Sequence, residues 1–123
     1  MTRIEGLFYT VVKSVAREAE LRKGEAEYES YYIIDLPRRG LELHGTSVAI
    51  KSKDDIYDSE GDIIVSPELA EELVEELRKI SPKCSVVDIH EHEFPIEASH
   101  VHFVCGNLSE KELIELLKFI RWF

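Results

Sequence analysis

Four of the five histidines fall inside one stretch, Ser85–Cys105, which reads SVVDIHEHEFPIEASHVHFVC. They come as two His-x-His pairs, His90 with His92 and His100 with His102, and the segment between them contains Pro95. Residues two apart on a strand share a face. An antiparallel hairpin therefore gathers all four imidazoles on one side, together with Asp88. If His92 pairs with His100, then His90 pairs with His102, because positions in antiparallel partners sum to a constant. Directly opposed β-carbons lie about 5 Å apart and diagonal ones about 7–8 Å. A single transition metal such as zinc, with nitrogen ligands at about 2 Å, fits that spacing. A slip of one residue would send the set to opposite faces, so the cluster stands or falls as a unit.

A zinc-dependent hydrolase built here would need three imidazoles, an open fourth coordination position and a carboxylate base. Asp88 lies on the histidine face, whereas Glu91 and Glu93 lie on the other. The same face could serve acid–base chemistry, or could simply be a wet polar surface. A Cys–His nucleophile pair is disfavoured, since Cys105 belongs to the opposite, apolar face with Val101 and Phe103, and Cys84 lies well beyond His90. No nucleophile elbow, P-loop, glycine-rich dinucleotide turn or HExxH pattern occurs. The acidic run Asp54–Asp62 is no calcium loop either. Placing Gly61 at loop position six puts Ile56 first and Pro67 twelfth, and neither offers a carboxylate. It reads as a solvated hairpin tip. His44 stands alone and reads as structural.

The elements that position this hairpin are legible in the flanking pattern. Thr2-x-x-Glu5 is a capping box, followed by Ile4, Phe8, Val11 and Val15 on one stripe of a helix that is expected to run to Lys23 and stop at Gly24. Tyr28–Leu36 is aromatic and β-branched and reads as a strand. Pro37–Gly40 makes a turn, and Leu41–Lys53 returns as a second strand, kinked at Gly45. Asp62–Val65 is a short third strand. Ser66-Pro67 opens a helix with a Ser cap and Pro at the first position. Its apolar stripe is Leu69, Ala70, Leu73, Val74, Leu77 and Ile80, and Ser81-Pro82 ends it. The path from the third strand through this helix to Val86 has the length of a β-α-β crossover. After the histidine hairpin, Ser109-x-x-Glu112 is a second capping box, opening a helix with Leu113, Leu116, Leu117 and Ile120 inward. The aromatics Phe119, Trp122 and Phe123 exceed what one stripe needs; they either fold back onto the sheet or form a self-association surface.

The order α-β-β-β-α-β-β-α gives an α+β fold: two layers, with a mixed, mainly antiparallel five-stranded sheet and three helices on one face. The 123 residues fit one domain spanning 1–123. With 44% apolar and 33% charged residues the composition is that of an ordinary globule with a charged skin. No apolar run approaches the roughly 18 residues that cross a membrane, and the N-terminal run lacks the pattern of a signal peptide. Cys84 and Cys105 are expected to be two buried, reduced thiols, which points to the cytoplasm.

Net charge is −10 and the pI about 4.9. This field repels phosphate backbones. The available cations, Arg38, Arg39, Lys51 and Lys53, are few and lack interleaved aromatics, so nucleic acid is disfavoured. Gln is absent and Asn107 is the one Asn, while Glu, Lys and Arg abound, a composition typical of heat-adapted proteins. The expectation is a small acidic cytoplasmic domain that acts by binding a protein partner or itself, as a homodimer. It carries no cofactor. The alternative is a metal-binding protein or zinc-dependent hydrolase using His90, His92, His100, His102 and Asp88.

Overall fold

The computed structural model describes residues 2–24, 30–37, 45–93 and 97–121. Helix α1 (Arg3–Leu7) widens into a π-helical segment, Phe8–Lys13. Strands β1 (Glu20–Lys23), β2 (Ser30–Pro37), β3 (Gly45–Lys53) and β4 (Ile56–Val65) follow. A 3-10 turn, Pro67–Leu69, leads into helix α2 (Ala70–Ile80), then β5 (Cys84–His92), β6 (Ala98–Leu108) and helix α3 (Glu110–Ile120). The strands form a single sheet in the order β1-β2-β3-β4-β6-β5, and each neighbouring pair is antiparallel. The α+β class and three helices agree with the sequence reading. The sheet has six strands rather than five, and no two parallel strands are neighbours. β4 and β5 do run parallel across the α2 crossover, but β6 lies between them.

The extra strand comes from the segment expected to prolong the first helix. That helix ends at Lys13, whose Nζ donates to the carbonyls of Arg17 (2.6 Å) and Ala19 (2.8 Å). The chain then reverses, and Glu20–Lys23 pairs with Tyr32–Asp35. An Arg22–Asp35 ion pair of 2.6 Å bridges the two strands. Local helix preference in Ala, Glu, Leu and Arg is weak and yields to cross-strand pairing. The π-widening also resets the stripe. Ile4, Leu7, Phe8 and Val12 are buried, while Val15 is exposed.

The expected polar loop Asp54–Asp62 shrinks to Asp54 and Asp55. Both have positive φ, 52° and 61°, the combination that a two-residue hairpin turn of the mirror-image type requires, and short polar side chains tolerate it. β4 begins at once, with Tyr57, Ser59 and Gly61 buried and Asp58 and Glu60 exposed. Gly61 is needed there, since a Cβ would come within 2.7 Å of the Ser47 carbonyl and 3.1 Å of the Phe103 ring. Gly45 opens β3 opposite Pro37, where a side chain would strike the Leu36 carbonyl.

The helices and one sheet face share a single core. Ile34, Val48, Ile63 and Phe103 from the strands meet Phe8, Leu73, Leu77, Leu113, Leu116 and Leu117 from the helices, all fully buried. Each such side chain contributes roughly 1.5–3 kcal/mol relative to exposure. Both capping boxes form. Ser66 is different: its hydroxyl makes no cap bond, and its carbonyl instead accepts the Leu69 N–H at 3.0 Å.

The capping glutamates also tie helix ends to the rest of the fold. Glu5 accepts the Tyr32 hydroxyl at 2.7 Å. Glu112 accepts Lys83 Nζ at 2.8 Å and the Ser81 hydroxyl, fixing α3 to the turn that launches β5. Lys83, then Ser81, then the Ser109 N–H hold the Glu112 carboxyl down to about 2. A depressed carboxylate stabilises fully above its unfolded value of 4.5 and loses that contribution as pH falls toward 2. Glu112→Gln is therefore expected to lower the melting temperature at neutral pH, with the gap from wild type closing between pH 5 and 2. A gap independent of pH, measured by thermal melts across that range, would contradict the assignment.

Cys84 and Cys105 form a disulfide across a directly paired position of β5 and β6, which overturns the expectation of two separate reduced thiols. Their sequence separation of 21 concealed a separation of one strand. The step from reduced thiols to the cytoplasm falls with it. No helix among the described residues is long and apolar enough to cross a membrane. Closing a loop of this size constrains the unfolded chain by roughly 3 kcal/mol. Reduction is expected to lower the unfolding free energy by about that amount, and a thiol assay on the denatured, unreduced protein should find no free sulfhydryl.

Candidate functional site

The face of the sheet turned away from the helices is the one the alternation assigns to histidine. In the β5–β6 ladder Asp88 pairs with His102, His90 with His100 and His92 with Ala98. The expected pairing of His92 with His100 is thus off by two residues. An even shift preserves faces, so the set stays together. A bulge at Val87 absorbs one residue of β5. It puts Val86 opposite Phe103, against the core, rather than beside Asp88 as strict alternation would have it. The adjacent apolar pair Val86-Val87 was the sequence signal for this break.

A row of side chains crosses the whole open face in register: Glu20, Asp35, Ser47, Asp62, His102, Asp88. Carboxylates interleave with the imidazoles and engage three of them. His90 Nε2 lies 2.6 Å from Asp88 Oδ2, His100 Nε2 2.8 Å from Asp62 Oδ1, and His102 Nε2 2.8 Å from Glu60 Oε1. The His92 and His100 rings approach to 5.8 Å between centroids. Sharing a face is not the same as converging on a point. Among the described residues no three His, Cys, Asp or Glu side chains are placed to hold one metal ion.

The remaining sequence candidates are scattered. Lys51 lies on the open face of β3, 5.5 Å from the Tyr31 ring and opposite Asp58. Lys53 is exposed beside the Asp54–Asp55 turn. Phe119 is half-buried and packs against the core. Arg38, Arg39, His44, Trp122 and Phe123 lie outside the described residues.

The feature that the sequence reading missed is at the rim. Among the described residues β5 has a strand neighbour on one side only, so half of its backbone donors and acceptors point outward from the ladder. It also exposes two large apolar side chains, Val87 at 58% and Ile89 at 44%. Ile89 points to the helix side of the sheet, opposite fully buried Val101. Between it and α2 runs a groove of about 800 Å³ with Val74 and Ile89 among its lining and Glu68, Glu71, Glu75 and Glu91 around them. The opposite rim, β1, is four residues long and carries Glu20, Arg22 and Lys23 exposed. Short charged strands are the usual way of keeping an edge closed. Comparison with known proteins adds no functional assignment: no protein-family model, curated protein or solved structure matches the chain.

Proposed function

We propose that the protein works by binding another polypeptide along β5, as a partner-recognition or self-association module. The observation that carries this reading is the joint exposure of Val87 and Ile89 on the long rim strand. Exposed apolar side chains beside unpaired backbone groups are what an added strand uses: main-chain hydrogen bonds supply affinity and alternate side chains supply specificity. The protein operates in the cytoplasm of a heat-adapted organism, a setting where intracellular disulfides persist and where a chain with a single Asn and no Gln is at home. A photo-crosslinking amino acid in place of Val87, introduced in the native cell, is expected to give discrete polypeptide adducts. The same probe at Tyr9, comparably exposed at 51%, should give none. Absence of adducts at Val87, or equal yields at both positions, would end this reading.

A second reading keeps the histidine face as a transition-metal site, with zinc as the ion and hydrolysis as the chemistry. It is supported by the 5.8 Å approach of the His92 and His100 rings and by the direct pairing of His90 with His100. Binding would require His100 to leave Asp62. Zinc titrated into tag-free protein is then expected to raise the melting temperature, with the effect fading as pH drops because protons compete for neutral imidazole. Retention of less than about a tenth of an equivalent, or an unchanged response in His100→Ala, would remove the metal site.

A further inference from the structure

Resting on the rim-strand reading above, we infer that the occupant of β5 is an extended basic segment of a different protein, patterned Lys-x-Val-x-Lys, rather than a second copy of this chain. The bulge at Val87 interrupts the ladder, so a new strand pairs along Asp88–His92. Its side chains then alternate between two environments. Those on the helix side enter the groove against Ile89 and Val74, where a β-branched apolar residue fits. Neighbours two positions away on that same side meet Glu68, Glu71, Glu75 and Glu91, with Arg78 the one cation in the groove lining. Those on the other side pass Asp88 and the two rim histidines.

A second copy meets this surface badly. Adding β5 to β5 about a two-fold axis brings Glu91 of the partner chain toward a groove already lined by four glutamates. Each copy also carries a net charge of −10. Like charges brought together at an interface oppose association, whereas lysine or arginine relieves the repulsion and speeds encounter. Apolar floor, acidic walls and a free strand edge together specify an extended cationic ligand with one apolar anchor.

The test uses the purified full chain and a fluorescent synthetic peptide of about nine residues built on Lys-Thr-Val-Thr-Lys, which places both lysines and the valine on one face. At about 50 mM salt, anisotropy is expected to show this peptide binding at least about tenfold more tightly than its counterpart with glutamate in place of each lysine. N-methylation of alternate residues, which removes the backbone donors an added strand needs, is expected to weaken binding about tenfold without touching the protein. E71K/E75K should also weaken it about tenfold, while E72K/E115K, with the same change in net charge outside the groove, should change it about threefold or less. Ile89→Asp should abolish it. Equal losses in the two charge-reversal pairs, or indifference to N-methylation, would reduce the effect to general attraction between opposite charges and overturn the proposal. So would no binding up to about 1 mM, or light scattering that shows a dimer dispersed by Ile89→Asp. Any of these failures combined with Val87 adducts in the cell would leave the rim reading standing and remove only the partner's chemistry.

Discussion

Among the described residues β6 is paired on both flanks and β5 on only one, and this asymmetry decides which backbone groups the sheet leaves at its rim. The chain leaves β4 through α2, drops into β5, and only then returns to fill the gap beside β4. Inserting β6 there lets Phe103 pack between Gly61 and Val86 in one transverse row that continues through Val48 to Ile34. The same insertion pushes β5 to the outside. An internal strand has its polar backbone satisfied on both sides, whereas a rim strand must leave half of it to water or to a visitor.

Most of what the sequence made legible is local or periodic. The capping boxes at Thr2 and Ser109, the stripes of α2 and α3, and the common face of the histidines follow from spacing alone, and each is present. What escaped depends on partners distant in the chain. Glu20–Lys23 has helical composition, and only pairing with β2 makes it a strand. Asp55 adopting a left-handed conformation turned an apparent loop into a tight reversal. The disulfide required knowing that positions 84 and 105 face each other, which in turn required the bulge at Val87. The rim was hidden for the same reason: no residue announces which strand will lie last in a sheet.

On the open face the arrangement of charge decides what the histidines do. Asp62, Glu60 and Asp88 occupy three rings individually, so each imidazole is oriented by its own carboxylate and not by a shared centre. Such pairs between half-exposed groups contribute little to stability, typically below about 1 kcal/mol. They do order the side chains along this polar face. Two of the exposed large apolar side chains, Val87 and Ile89, lie on the rim strand beside this face.

The covalent bond at Cys84 bears on how that rim can move. It fastens β5 to β6 at the end where the strand begins, next to the Lys83–Glu112 clasp, while residues 93–97 join the His92 end to β6 through the chain itself. With the sulfur bridge at one corner and five residues of chain at the other, the two strands are the long sides of a closed covalent ring. Neither end of β5 can part from β6 by more than those short links span, so the rim keeps its place even when individual ladder bonds open.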